Sequence, residues 1–332
     1  MDKILLLGGS GYIGEAFAKE LQARGHAFYV LARKELDYTR FEDLLPHLRA
    51  ERPSFVINAA GYTGRPNVDA CETARAETLL GNTLFPQSLA QACHVAEVPY
   101  GHVSSGCIYT GAKIVERGQG RIERDLTKRE LGPLLEKASA RLNAGNVDPA
   151  NAENTVHGFS ENDAPNFSFR VPPCSFYSGT KALAEEVMQG VGHGYLWRLR
   201  IPFDEQDNPR NYLTKIQKYA KVYDNFNSIS HRADFVRACL DLWEKKAPAG
   251  IYNITNPGYV STRQVVALIQ EHLKLAREFT FWSDDAEFYK SGAVAPRSNC
   301  ILDISKLLST GVKIRPVKDA LADALSRWNA GR

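Results

Sequence analysis

The chain contains no apolar run approaching the ~20 residues that cross a bilayer, so no membrane partner is expected. Its net charge is only +3 over 332 residues, too little to imply nucleic acid as a partner. No signal peptide is expected, and its six cysteines lack paired spacing. Reduced thiols in a cytoplasmic protein are therefore expected, not a disulfide framework. No internal repeat is visible, and no metal is expected. What is present suits a soluble enzyme. Hydrophobic residues make up 44% of the chain, enough for a large core. The length suits a nucleotide domain with a smaller lobe.

The first half alternates strand-like and helix-like segments. Lys3–Leu7 is a short apolar run that reads as a buried parallel strand. Gly8-Gly-Ser-Gly11-Tyr12-Ile13-Gly14 follows it, and then a helical pattern over Glu15–Arg24 that stops at Gly25. Strand, glycine turn and helix form the opening unit of a dinucleotide-binding sheet, with the helix N-terminus facing a pyrophosphate. Further strands are expected at Phe28–Ala32, Phe55–Asn58, Tyr100–Ser104 and Tyr195–Arg200, and helices at Phe41–Ala50, Thr73–Ala96 and Ser175–Gln189. This predicts an α/β fold, a doubly wound parallel Rossmann sheet with a smaller C-terminal substrate lobe. The expected division is 1–200 for the Rossmann domain, with 231–253 rejoining it, and 201–230 plus 254–332 for the lobe.

Two cations, Arg33-Lys34, stand after the second strand, where an acidic residue would accept hydrogen bonds from the ribose of NAD. They favour NADP, with NAD as the alternative. Tyr177-Ser-Gly-Thr-Lys181 places a phenol and an ammonium one helical turn apart, an arrangement that favours the phenolate and proton exchange near neutral pH. Together the two motifs resemble the short-chain dehydrogenase/reductase superfamily, in its extended, sugar-nucleotide branch. By that resemblance Ser105, in His102-Val-Ser-Ser-Gly-Cys-Ile-Tyr109, is the catalytic hydroxyl. The related dehydratases carry an Asp-Glu pair after it; Gly106 and Cys107 stand here instead, which counts against dehydration. On an extended segment Cys107 would point to the same side as Ser105. It is read as a thiol that exchanges protons beside a 4-keto group, or as a buried structural cysteine.

Longer blocks narrow the resemblance. Asn58–Glu72, Asp163–Phe167, Ser175–Lys181, Asn208–Lys215, Gly250–Gly258 and Ala295–Asn299 are similar to those of plant and fungal nucleotide-rhamnose synthase/epimerase-reductases. The dTDP-4-keto-rhamnose reductases share that fold and chemistry. This resemblance implies 3,5-epimerisation and NADPH-dependent 4-reduction of an NDP-4-keto-6-deoxyhexose. It makes Tyr177 the proton donor to C4, Lys181 its electrostatic partner and ribose ligand, and Cys107 with Lys215 the epimerisation pair. It puts Gly8, Gly11, Tyr12, Ile13, Gly14, Arg33, Asn58, Ala59, Ala60 and Asn82 at the cofactor, Asn82 also ordering the catalytic residues. Asn211 and Arg297 become the candidates for contacting the sugar nucleotide. A charged segment, roughly 113–156, has no counterpart in the plant enzymes. One or two short helices broken at Gly132-Pro133 are expected within Arg124–Asn143, and a loop over Asn143–Asn154. The segment could cover the sugar site, form a subunit contact in a homodimer, or be a surface insertion. Two other functions stand beside the main one: an NAD-holding NDP-sugar 4-epimerase, and a non-catalytic NADP-binding regulatory subunit.

Overall fold

The structure, a computed structural model, describes residues 3–143 and 154–329. Its centre is a six-stranded sheet. Strand β1 (Ile4–Leu7) is fully buried and pairs in parallel with β2 (Phe28–Leu31) and β3 (Phe55–Asn58). Beyond β3 lie β4 (Tyr100–Ser105), β8 (Gly194–Leu199) and the strand Gly250–Asn253, all parallel. The chain runs outward from β1 to β2, then returns to β3 on the other side. That reversal opens a crevice at the carboxyl ends of β1 and β3, where such sheets bind ligands. Helices cover both faces, as an all-parallel sheet requires: α1 (Tyr12–Ala23) and α8 (Arg232–Glu244) on one, α2 (Phe41–Glu51), α4 (Phe85–Val95) and the helix carrying Tyr177 on the other.

A second core surrounds Phe203, Leu213, Ile216, Val222, Val265, Ile269 and Leu321. It joins α7 (Tyr212–Lys218), α9 (Thr262–Leu273) and the helix Val317–Ser326 into a smaller lobe. Thr73–Ala96 is not one regular helix. The helix α3 (Arg75–Leu79) passes through a π turn, Leu80–Leu84, into α4. Such turns re-aim side chains, often at functional sites, and this one carries Asn82.

The charged segment differs from expectation. Strands β5 (Ala112–Glu116) and β6 (Gln119–Glu123) form a hairpin, and β7 (Asn154–His157) pairs with β5 on its other edge. Arg117 and Gly118 both have positive φ, the geometry of a tight hairpin turn whose twist matches its strands. Two short helices meet at Gly132-Pro133 as expected: a 3₁₀ turn over Arg129–Leu131 ends there and α5 (Gly132–Asn143) begins, where proline lacks nothing by having no N–H. The expected loop over Asn143–Asn154 falls almost wholly outside the described residues. Ile114, Leu131, Leu135, Ala138 and Val156 bury against Tyr259 and Ile301. The Tyr259 hydroxyl donates to Leu135 O at 2.8 Å. The segment is thus packed onto the C-terminal part of the chain, at Tyr259 and Ile301.

Candidate active site

Two glycines shape the crevice. Gly8 has φ +74°, and a Cβ there would meet Ala60 N at 2.5 Å. A Cβ on Gly14 would lie 2.0 Å from Gly8 O, so only glycine lets α1 begin so close to the turn. The free N–H groups of α1 then open on a cleft of about 880 Å³, which Gly11, Tyr12 and Ile13 line together with Ala59 and Ala60. The residues present fit a dinucleotide. Arg33 is exposed in the turn after β2, without an ion pair among the described residues, and its charge reaches Asp37 and Tyr38.

The catalytic helix α6 (Phe176–Met188) is fixed at its start. Ser175 caps it, accepting from Ser178 N at 3.1 Å, while Glu72 accepts from Phe176 N at 2.7 Å. Tyr177 and Lys181 both face the cleft, as do Ser105, Cys107, Lys215 and Arg297. Burial pushes the Tyr177 phenol up; Cys107 adds to this, and a hydrogen bond to Ser105 and the Arg200 charge oppose it. The expected phenolate is therefore not favoured. The hydroxyl stays protonated, as a proton donor must. Burial lowers Lys181 to about 8, against the opposing influence of Cys107 and Glu185.

Cys107 does not continue the extended strand. Gly106–Ile108 turn as a short 3₁₀ helix capped by Ser105, whose Oγ accepts from Cys107 N at 3.2 Å. The thiol still reaches the cleft. Burial pushes it up, opposed by hydrogen bonds to Ser105 and Ser178 and by the charges of Arg200 and Lys181. Lys215 is pushed down by burial and by Arg210 and Arg297. Burial thus disfavours the charged form of each, the thiolate of Cys107 and the ammonium of Lys215.

Four side chains expected at the ligands are engaged within the protein. Asn211 is fully buried: its amide donates to Asp204 O, Asp204 Oδ1 and Gln206 O, and its Oδ1 caps α7 through Leu213 N. No capacity remains for a substrate. Asn82 spends both ends of its amide on the Tyr62 backbone, at 2.9 and 2.8 Å. It holds the Gly61 turn against the catalytic helix, since a Cβ on Gly61 would lie 3.3 Å from Asn82 Oδ1 and 3.6 Å from Lys181 Nζ. Asn58 is likewise buried, bonded to His102 Nδ1 at 3.0 Å and to Ala60 N at 2.9 Å. Arg297 lines the cleft, but its fork grips Asp69 at 2.8 and 2.7 Å. No described residue of the 113–156 segment lines the cleft. Sequence reasoning missed Arg200 and Arg210 on its wall; the cations in Trp197-Arg-Leu-Arg200, at the end of an apolar strand, were the available signal for the first.

A glycine-cradled crevice beside a tyrosine, lysine and serine defines an NAD(P)-dependent reductase of the short-chain type. Residues 1–125 match the family model described as RmlD substrate binding domain. A bifunctional dTDP-4-dehydrorhamnose 3,5-epimerase/dTDP-4-dehydrorhamnose reductase of Arabidopsis thaliana is 30% identical over 318 residues, which cover 96% of this chain and 90% of that protein. The chain belongs to this family of rhamnose epimerase-reductases, enzymes of the sugar-nucleotide reductase type. A trifunctional UDP-glucose 4,6-dehydratase/UDP-4-keto-6-deoxy-D-glucose 3,5-epimerase/UDP-4-keto-L-rhamnose-reductase of the same plant is also 30% identical, over 96% of this chain. The chain spans only 41% of the length of that relative. Among solved structures, a UDP-rhamnose synthase from Acanthamoeba polyphaga mimivirus aligns with TM-score 0.78 at 22% identity, covering 98% of this chain and 99% of that one. A dTDP-4-dehydrorhamnose reductase from Bacillus anthracis, in complex with NADP, aligns with TM-score 0.72 at 17% identity, covering 98% of each. Both share the fold.

Proposed function

We propose that the protein is an NADP-dependent 3,5-epimerase/4-reductase acting on an NDP-4-keto-6-deoxyhexose. One observation carries this: two proton-transfer sets, Tyr177 with Ser105 and Cys107 with Lys215, open on a single cleft. A reductase alone needs only the first. Residues 1–200 with 231–253 bind the dinucleotide, and 201–230 with 254–332 bind the sugar nucleotide. Gly8, Gly11 and Gly14 admit the pyrophosphate and Arg33 holds the 2′-phosphate; the cofactor, when bound, supplies the hydride for C4.

Lys215, whose charged form burial and the neighbouring Arg210 and Arg297 disfavour, takes a proton from a carbon beside the ketone, and Cys107 returns one on the opposite face. Repeated at C3 and C5, this inverts both centres. Tyr177 then protonates the C4 oxygen as the hydride arrives, steadied by Ser105 and the Lys181 ammonium. The bifunctional relative and the NADP-bound neighbour support the assignment.

The test is NADPH absorbance in the presence of UDP- or dTDP-4-keto-6-deoxyglucose. Oxidation is expected with the wild-type protein and a loss of about 10²–10⁴-fold in Tyr177→Phe, with cofactor binding intact. A variant within a few fold of wild type would remove Tyr177 from the reaction. Turnover of a 4-hydroxy sugar with bound NAD would instead make the protein a 4-epimerase, and binding of NADPH without turnover of any of these sugars a regulatory subunit.

A further inference from the structure

Arg200 follows β8 and is only 5% exposed. Its two buried neighbours in kind have carboxylate partners: Arg198 grips Glu185 at 2.6 Å and Arg232 grips Asp204 at 2.7 Å. Arg200 has none among the described residues. One of its terminal nitrogens donates to Asn227 Oδ1 and Ser298 O, both neutral, and its Nε is buried with no hydrogen-bond partner. A buried cation without a counter-charge is costly unless something supplies the negative charge.

Its place says what that is. Arg200 lines the cleft, and a Cβ on Gly106 would touch its Cδ at 3.5 Å. Its charge reaches Cys107 and Tyr177, the groups that flank the reacting carbons. Two other cations of the cleft wall, Arg210 and Arg297, act on Lys215 and hold the Thr63–Asp69 loop. Arg200 therefore stands on the cleft wall beside the Gly106–Cys107 turn, with no carboxylate to answer its charge among the described residues.

We propose that Arg200 is a further catalytic residue, whose guanidinium stabilises the negative charge that forms on the C4 oxygen during proton exchange at C3 and C5. The inference rests on the epimerase-reductase reading. When Lys215 removes the proton, the C–H pair forms a carbon–carbon double bond and the carbonyl π pair moves onto oxygen. The resulting enolate lies beside Arg200. When it collapses, the ketone reforms and the carbon takes the Cys107 proton. The thiolate left behind and the Lys215 ammonium reset by exchange with water. The ketone is neutral and the enolate is not, so the contact strengthens only as the reaction proceeds, which is where catalysis gains.

The experiment follows deuterium at C3 and C5 of the 4-keto sugar nucleotide in D2O without NADPH, for wild type, Arg200→Gln and Arg200→Lys. Arg200→Gln should exchange about 10²–10³-fold more slowly at saturating substrate, with KM within a few fold. Arg200→Lys should fall between, and NADPH affinity, read by fluorescence, should be unchanged in both. Exchange by Arg200→Gln within a few fold of wild type overturns the proposal. So does a raised KM at an undiminished saturated rate, which would make Arg200 a ground-state binding group. If melting curves show Arg200→Gln unfolded, Arg200→Lys decides by the same two criteria, with about a tenfold loss expected for the displaced charge. Wild-type protein that oxidises NADPH but exchanges neither carbon defeats the epimerase reading itself.

Discussion

Tyr177 and Lys181 are shifted apart by the same burial, the phenol upward and the ammonium down to about 8. A charged Lys181 helps the phenol release its proton to the C4 oxygen, and that charge is present below its pKa and lost above it. The reduction rate should therefore fall as pH rises through about 8, measured as kcat/KM for NADPH oxidation. A profile flat to pH 9.5 would show that the charge is not used. Arg33 should discriminate between cofactors: Arg33→Ala should weaken NADPH binding by about tenfold or more and leave NADH nearly unaffected, because only the 2′-phosphate accepts a charge-assisted bond. Equal losses in fluorescence titrations would remove it from cofactor choice. At this scale the sequence showed which residues carry chemistry but not which are already engaged. The Tyr177–Lys181 spacing is local and legible. The pairing of Arg297 with Asp69, 228 positions away, and the isolation of Arg200 depend on tertiary neighbours. Asn211 resembled a polar contact residue because capping and ligand binding draw on the same side-chain chemistry.

Helix α6 is held to the sheet beneath the active site by a buried ion pair. Glu185 accepts from Arg198 and from the hydroxyl of Ser104, the neighbour of Ser105, at 2.6 Å each. Arg198 also reaches Asn253 Oδ1 at 3.3 Å, on the edge strand. Removing one member of such a pair leaves an uncompensated charge, so Glu185→Gln should lower unfolding stability by about 3–5 kcal/mol in urea titrations. A loss below about 1 kcal/mol would mean that water or Asn253 replaces the carboxylate. The main parallel strands were legible as short apolar runs between helical patterns. The Ala112–Glu123 hairpin was not: its second strand, Gln119–Glu123, is mostly polar and its turn is Arg-Gly, outside the usual Asn-Gly signal. The π turn was equally hidden: Gly81-Asn-Thr83 weakens the helical pattern without naming a π turn, and only the grip of Asn82 on Tyr62 marks its purpose.

Across the whole molecule, the Gly61–Glu72 loop couples the lobes. Arg210 and Arg297 reach it from the substrate lobe, at Thr63, Gly64 and Asp69, while Glu72 fixes the start of the catalytic helix. The loop thereby ties the smaller lobe to the start of the helix that carries Tyr177 and Lys181. The 113–156 segment packs behind this arrangement, on Tyr259 and Ile301. The most direct test of an enzyme that epimerises before it reduces is the product made from UDP-4-keto-6-deoxyglucose and NADPH in D2O, read by NMR. The expected product is UDP-L-rhamnose carrying deuterium at both C3 and C5. A UDP-6-deoxy-D-hexose with hydrogen at both carbons would contradict the account, leaving Tyr177 and Lys181 to a reductase in which Cys107 and Lys215 move no proton.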